Sequence, residues 1–250
     1  MSKIPYKTAL VTGASSGIGA SITRSLTQQG LTVYALARRS DKLSILAEET
    51  GATPICLDLC DTDQLYQTLS NLEVDILVSN AGMGVGFTSL SEASREEITQ
   101  SVNTNLLSAM QLINVLVPGM IARRRGHIIQ MGSIAGLYPL FSTIYGATKG
   151  RIHLMCQNLR LELKGTSVRC TEICPGRVNT EFFDKAFDSK DAQRMMTEIT
   201  PLSPDDIAEA VWYALSAPPH VNVGLLEITP TEQAAGGLVS QASPPFNETS

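Results

Sequence analysis

The chain has 250 residues, 43% of them hydrophobic, and a formal net charge of −5. That length suits one domain with a sizeable core, and the negative charge disfavours nucleic acid as a partner. We find no apolar run as long as a membrane span, and the first motif begins at Gly13, so we expect neither a leader peptide nor a membrane contact and place the protein in the cytoplasm. Residues 1–250 are expected to form one domain with a flexible polar tail at 243–250.

Short apolar runs alternate with helical patterns along the whole chain. This alternation is typical of an α/β fold of the Rossmann type, a doubly wound parallel sheet with helices on both faces. We expect about seven strands in that sheet. They are predicted near residues 7–12, 32–36, 53–57, 75–79, 126–132, 167–174 and 223–229.

The first apolar run leads directly into a glycine-rich turn, Gly13-Ala14-Ser15-Ser16-Gly17-Ile18-Gly19, and a helical pattern follows with Ile22 and Leu26 on one face. Strand, glycine turn and helix in this order are the context of a dinucleotide site. Glycines let the backbone approach a pyrophosphate, and the helix N-terminus offers it unpaired N–H groups. The spacing is G-x-x-x-G-x-G rather than the commoner G-x-G-x-x-G, and a purely structural turn is the alternative.

The second predicted strand ends at Ala37-Arg38-Arg39. Folds that bind NAD usually carry an acidic residue at this point for the ribose 2′-hydroxyl, whereas two guanidiniums suit a 2′-phosphate. Asp41 lies further along and suits the first turn of the next helix. We therefore expect NADP(H) as the cofactor, read by Arg38 with help from Arg39. A solvated arginine pair in a loop is the alternative.

Tyr145 and Lys149 lie four residues apart, on one face of a predicted helix, and follow Ser133 in the chain. A unit charge at ~4 Å and an effective dielectric of ~20 is worth ~4 kcal/mol, about the free energy of three pKa units. Such a lysine would lower the pKa of the tyrosine from ~10 towards neutrality and make the phenol a usable acid. A chance pairing of the two residue types is the alternative.

These motifs, in this order and spacing, resemble the short-chain dehydrogenase/reductase family from Thr8 to about Pro230. The resemblance implies cofactor contacts beyond the glycine turn and the arginine pair, among them an adenine contact after the third strand and a turn that meets the nicotinamide. These contacts fall on Asp58, Leu59, Asn80, Ala81, Gly82, Tyr145, Lys149, Pro175, Gly176, Val178 and Thr180.

The resemblance also implies a catalytic tetrad of Asn105, Ser133, Tyr145 and Lys149. Tyr145 would exchange a proton with the substrate oxygen, and Ser133 would polarise the carbonyl group. Lys149 would lower the pKa of Tyr145 and bind the nicotinamide ribose. Asn105 would hold a water between Lys149 and solvent, with a structural asparagine as the alternative.

Residues 181–200 correspond to the segment that covers the substrate pocket in that family. Residues 206–230 resemble NADP-dependent 3-hydroxy-acid (serine-type) dehydrogenases, but residues 140–144 and Lys185-Ala186-Phe187 depart from that subgroup. We therefore expect an aldehyde, ketone or secondary alcohol as the substrate. A 3-hydroxy acid read by Arg177 or Arg194 is the alternative. The candidate wall residues are Phe182, Phe183, Phe187, Met195, Met196, Met83, Leu137 and Tyr138.

The five cysteines and three histidines have no zinc-like spacing, so we expect no metal. Helices predicted near 106–122 and 145–163 carry apolar residues on more than one face. This pattern predicts a homo-oligomer, a tetramer by the family resemblance, unless both faces are buried within one subunit. A non-catalytic NADP-binding sensor or scaffold is the rival function, and it is disfavoured because a binding module has no need of all four tetrad residues.

Overall fold

A computed structural model describes residues 4–84, 89–139, 142–182 and 197–233. The predicted tail at 243–250 and most of the predicted 181–200 cover lie outside the described residues. The strands are β1 Thr8–Thr12, β2 Thr32–Ala37, β3 Thr53–Cys56, β4 Ile76–Ser79, β5 Gly126–Met131, β6 Val168–Pro175 and β7 Leu225–Ile228. The helices are α1 Gly17–Gln28, α2 Ser40–Thr50, α3 Thr62–Leu69, α4 Arg95–Val102, α5 Ser108–Ala122, α6 Thr143–Glu162 and α7 Pro204–Ser216, with a π-helical turn at Asn103–Leu107 and a 3₁₀ turn at Ile134–Gly136.

The described strands form one parallel sheet in the order β3-β2-β1-β4-β5-β6-β7. The chain first builds outward from β1 through β2 to β3, then returns so that β4 pairs with the other edge of β1. This reversal places a crevice beyond the carboxyl ends of β1 and β4, the position at which doubly wound sheets bind ligands. The predicted fold class is confirmed.

Alternate residues of one strand point to opposite sides of the sheet, and in the central strands β4, β5 and β6 the residues on both sides are buried. Val11 of β1 packs in a cluster with Ile22 of α1 and Val211 of α7. Its neighbour Leu10 packs in a second cluster with Leu112 of α5. The run of apolar residues in each strand is therefore explained by helices on both faces, as the sequence indicated.

The helix predicted from about residue 106 begins earlier than the sequence analysis expected. The continuous helical stretch Arg95–Ala122 is long and apolar enough, by length and composition, to span a membrane. The sequence reading placed a helix only from about residue 106, because it missed the Ser94–Glu97 capping box that begins the helix earlier. Leu112 and Leu116 of this stretch are buried in the core of the domain, as in a helix that packs on a sheet.

Candidate active site

A cavity of about 500 Å³ opens at the carboxyl ends of the central strands. Its lining includes Gly13 after β1, Asn80 after β4, Gly132 after β5 and Gly176 after β6. Residues far apart in the sequence meet here because parallel strands all end at the same edge of the sheet. Every cofactor residue predicted from the sequence except Gly19 lines this cavity, and so does every predicted tetrad residue except Asn105.

The glycine turn adopts a backbone that side chains would not tolerate. Gly13 and Gly17 have φ of +66° and +52°, in the left-handed region that favours glycine. A Cβ at Gly19 would lie 2.4 Å from the carbonyl oxygen of Gly13, so this glycine lets α1 pack closely on the turn. Gly19 therefore allows close packing of α1 on the turn. It does not line the cavity, so its predicted contact with the cofactor stays a prediction.

Thr12 ties the two central strands together beneath the turn. Its hydroxyl donates to the carbonyl oxygen of Val78 at 3.3 Å and accepts from the backbone N–H groups of Asn80 at 3.0 Å and Ala81 at 3.1 Å. The Asn80 side chain donates in return to the carbonyl oxygen of Thr12 at 2.9 Å. The sequence analysis did not predict these hydrogen bonds, since a threonine at a strand end carries no distinctive signal.

The two arginines at the end of β2 have different surroundings. The Arg39 guanidinium donates to the hydroxyls of Ser15 at 3.1 Å and Ser16 at 2.5 Å. The side chain of Arg38 is 71% exposed and lies 3.6 Å from Asp58. Arg39 is therefore the arginine that the glycine turn holds in place, whereas the sequence reading gave the leading role to Arg38.

A carboxylate that the sequence reading did not identify lies beside Arg39. Glu181 accepts from Arg39 at 2.9 Å and from Lys42 of α2 at 2.7 Å. Glu181 lines the cavity directly after Thr180. No local pattern marks these contacts, because Glu181 is 142 residues from Arg39 in the chain.

Ser133 and Tyr145 both line the far end of the cavity. Ser133 follows β5, and its hydroxyl accepts from the backbone N–H of Ala135 at 3.1 Å. Burial raises the pKa of Tyr145 to about 12, although the nearby Ser133 hydroxyl acts in the opposite direction. The phenol is therefore fully protonated at neutral pH.

Lys149 is buried beside Tyr145, with a side-chain nitrogen that donates to the carbonyl oxygen of Met131 at 2.7 Å and lies 5.8 Å from the centre of the Tyr145 ring. Burial lowers the pKa of Lys149 to about 8, while the neighbouring Cys174 and Glu172 raise it. Lys149 is not among the groups that lower the pKa of Tyr145. The pKa depression expected from the sequence is therefore absent, because desolvation of the phenol outweighs a cation that is directed at a backbone carbonyl.

A buried carboxylate lies behind Lys149. Glu172 of β6 is fully buried and pairs with His153 of α6 at 2.7 Å, and the thiol of Cys174 donates to it at 3.3 Å. This negative group opposes the loss of the proton from Lys149. With a pKa of about 8, Lys149 is mostly charged at neutral pH.

Asn105 projects from the π-helical turn and is buried. Its side-chain oxygen accepts from the backbone N–H of Met83 at 2.8 Å, and its nitrogen donates to the carbonyl oxygen of Met83 at 3.1 Å and to the Thr148 hydroxyl at 3.3 Å. A Cβ at Gly82 would lie 3.4 Å from the Asn105 oxygen and 3.8 Å from the Lys149 nitrogen, so these two groups are close to each other. The contacts described are structural, and the role of Asn105 in holding a water stays a prediction.

The substrate side of the cavity is largely apolar among the described residues. The Phe182 ring lies 5.5 Å from the Tyr145 ring, centre to centre, and covers Gly84, where a Cβ would lie 2.4 Å from it. Met83 and Tyr138 line the wall as expected, whereas Leu137 does not. Several residues of the substrate argument lie outside the described residues: Leu140, Phe141, Phe183, Lys185, Ala186, Phe187, Arg194, Met195 and Met196.

Arg177 is the candidate carboxylate reader that the structure does describe. It lines the cavity but is only 3% exposed, and its backbone N–H donates to the side chain of Gln233 at 2.8 Å. Burial lowers the pKa of Arg177, and the charge of Glu198 nearby opposes that shift. Its guanidinium is therefore near the site but already has an acidic neighbour. Among the described residues we find no cluster of three potential metal ligands.

Comparison with known proteins agrees with this geometry. Residues 7–191 match the family of short chain dehydrogenases. An NADP-dependent 3-hydroxy acid dehydrogenase of Escherichia coli strain K12 is 38% identical over 240 residues, covering 92% of this chain and 97% of that protein. A closed form of serine dehydrogenase complexed with NADP⁺ superposes with a TM-score of 0.88 at 37% identity, over 94% of this chain and 99% of that one.

A metagenomic short-chain oxidoreductase in complex with NADP is more distant, with a TM-score of 0.77 and 28% identity over 91% of this chain and 98% of that one. The chain belongs to the short-chain dehydrogenase family and is an oxidoreductase. The family resemblance inferred from the sequence is thereby confirmed.

Proposed function

We propose that this protein is an NADP(H)-dependent enzyme that moves a hydride between the nicotinamide and the carbonyl carbon of a small or medium aldehyde or ketone, or the corresponding alcohol. The observation that carries the proposal is the placement of Ser133, Tyr145 and Lys149 in one cavity with the glycine turn and Arg39. A non-catalytic binding module would need only the glycine turn and Arg39. Relatives named as NADP-dependent dehydrogenases support the same conclusion.

The cavity fits an NADP cofactor in three respects. The glycine turn and the N-terminus of α1 line the cavity, where a pyrophosphate would bind, and Ser16 at that N-terminus forms no capping hydrogen bond with the helix. Arg39 and Lys42 place two cations at the end of β2, where the 2′-phosphate of such a cofactor belongs. The predicted contacts after β3, β4 and β6 line the space between these ends. The nicotinamide supplies or accepts the hydride.

The protein side of the reaction is a proton transfer at Tyr145. A phenol with a pKa of about 12 holds its proton at neutral pH, and in reduction it donates that proton to the oxygen of the substrate as negative charge develops there. The Ser133 hydroxyl, which lines the same end of the cavity as Tyr145, stabilises the same developing charge. Lys149 lies 5.8 Å from the centre of the Tyr145 ring and would bind the nicotinamide ribose when the cofactor is present.

A neutral substrate fits the described pocket better than an acidic one. Met83, Tyr138 and Phe182 supply apolar walls around Tyr145. Arg177 is desolvated and has Glu198 as an electrostatic neighbour, so a carboxylate would have to compete for it. A 3-hydroxy acid is the second candidate, because relatives at 38% identity carry that name.

The oligomeric state and the location of the protein are part of the same proposal. α4 and α5 leave Val102 and Met110 exposed, and α6 leaves Leu154 and Leu161 exposed at 57% and 75%. Apolar side chains on two long helices suit a two-fold helix interface, and we propose a homotetramer in the cytoplasm with residues 1–250 as one catalytic domain.

Replacement of Tyr145 by Phe removes only the phenolic hydroxyl. We expect turnover to fall roughly 10²–10⁴-fold, the usual worth of general acid–base catalysis, because the proton has no other donor at that point. NADPH affinity and the thermal midpoint should stay close to those of the unaltered protein. Steady-state assays by NADPH absorbance, with fluorescence titration of NADPH, measure both, and near-normal turnover in the variant would contradict the assigned mechanism.

The substrate class is tested with matched pairs of neutral and acidic compounds. We expect kcat/KM for short aldehydes to exceed that for 3-oxo and 3-hydroxy acids of the same length. Arg177→Lys and Arg177→Gln should then affect both kinds of compound alike. If the carboxylate is read by Arg177, losing that bond costs ~1.5–3 kcal/mol, so the KM for acids would rise more than tenfold while the KM for aldehydes is spared. That outcome would favour the 3-hydroxy acid candidate.

The oligomer is tested by light scattering at micromolar concentration. We expect the mass of a tetramer for the unaltered chain. Leu154→Glu and Leu161→Glu on the exposed face of α6 should lower that mass, since a buried unpaired carboxylate opposes association. The matched control is Ile45→Glu on α2, also an exposed apolar residue at 65%. A monomer mass for the unaltered chain would refute the proposal.

A further inference from the structure

The cationic end of the cavity contains an acidic side chain. Glu181 pairs with Arg39 and with Lys42 at once, through its two carboxylate oxygens, at 2.9 and 2.7 Å. The three side chains are partly exposed, at 34–42% of their surface. Glu181 lies in the segment after β6, a strand that is separated from β2 in the sheet by β1, β4 and β5.

These are the cations that a 2′-phosphate would use. Arg39 is fixed by Ser15 and Ser16 of the glycine turn, so its guanidinium faces the cavity, and Lys42 follows on the first turn of α2. A carboxylate with charge-assisted bonds to a guanidinium and an ammonium satisfies the same donors as a phosphate. A 2′-phosphate bound to Arg39 and Lys42 would therefore meet Glu181 at the same donors.

A phosphate monoester carries a charge of about −1.5 to −2 at pH 7. If it bound beside Glu181, three negative oxygens would face a carboxylate across the same two cations, and like charges this close weaken binding. The carboxylate must then leave the cations, and its two ion pairs are lost. With a cofactor that has only a 2′-hydroxyl the carboxylate can stay and accept a hydrogen bond from that hydroxyl.

NAD-binding folds place such a carboxylate at the end of β2 itself. In this chain β2 ends in two arginines, and the carboxylate comes from the segment after β6. We infer that Glu181 is a specificity-determining residue that competes with the 2′-phosphate for Arg39 and Lys42 and so reduces the preference for NADP(H) over NAD(H). This inference rests on the proposed function and adds to it a residue that opposes the cofactor preference.

The competing explanation is that the ion pair of Glu181 with Lys42 only stabilises the packing of the segment after β6 on α2. In that case its removal would lower the stability of the protein and change the affinity for both cofactors by the same factor. The two explanations differ in one quantity, the ratio of the dissociation constants for ligands with and without the 2′-phosphate.

The experiment measures dissociation constants of NADPH, NADH, 2′,5′-ADP and 5′-AMP by calorimetry. The proteins are the unaltered chain, Glu181→Gln and the control Glu48→Gln, which removes the same charge from an exposed position on α2. Competition predicts that Glu181→Gln tightens NADPH and 2′,5′-ADP about three- to tenfold, the scale of one or two partly exposed ion pairs, and leaves NADH and 5′-AMP unchanged or weaker. Glu48→Gln should change all four dissociation constants by less than about twofold, because the effect of a remote surface charge is screened by salt.

A double-mutant cycle with Arg39→Gln separates a direct contact from a general charge effect. The gain from Glu181→Gln should disappear when Arg39 is absent. The inference would be overturned if Glu181→Gln changed the affinities for ligands with and without the 2′-phosphate equally, or if it weakened NADPH binding. The proposed function would still be upheld in that case, provided that the unaltered chain binds NADPH. If the unaltered chain bound NADPH no better than 5′-AMP, the proposed function itself would fail. Should Glu181→Gln not fold, Glu181→Asp provides the second test: its shorter side chain weakens both ion pairs, so competition predicts tighter 2′,5′-ADP binding with 5′-AMP binding unchanged, and equal changes for the two ligands would overturn the inference.

Discussion

The site depends on one constraint, the joining of β1 to β4 at the point where the strand order reverses. The Thr12 hydroxyl and the Asn80 amide bridge the ends of these strands, and Gly13 packs so tightly on Asn80 that a Cβ there would lie 2.9 Å from its nitrogen. Because buried polar groups need partners, this network has one low-energy arrangement. This network holds the glycine turn against β4. The Ser15 and Ser16 hydroxyls of the glycine turn then orient Arg39 by accepting hydrogen bonds from its guanidinium.

Burial acts in opposite directions on the two titrating groups of the tetrad. It raises the pKa of Tyr145 and lowers the pKa of Lys149, because in each case the charged form loses solvation. The buried Glu172 counters part of the shift of Lys149. The protein therefore holds a neutral acid beside a cation at neutral pH, which suits proton donation to a carbonyl oxygen.

The parts of the fold and the site that could be predicted are those in which chemistry demands a residue type at a fixed spacing. The seven strands, the glycine turn, Ser133, Tyr145 and Lys149 are of this kind. Contacts between segments that are distant in the chain could not be predicted. Glu181 reaches Arg39 from a distant segment, the π-helical turn decides where Asn105 points, and serine hydroxyls decide that Arg39 is held while Arg38 extends into solvent. Desolvation was the other missing quantity, since no local pattern reveals how deeply a phenol will lie.

The central claim is that one cavity holds a phosphorylated nicotinamide cofactor and a carbonyl substrate together at Tyr145. The direct test uses NADPH carrying deuterium on either face of nicotinamide C4, a short aldehyde that the protein reduces, and mass spectrometry of the alcohol formed. The account predicts that deuterium moves to the former carbonyl carbon from one face of the cofactor only, since a fixed site presents one face to the substrate. An alcohol without deuterium from either labelled cofactor, or equal transfer from both faces, would contradict it.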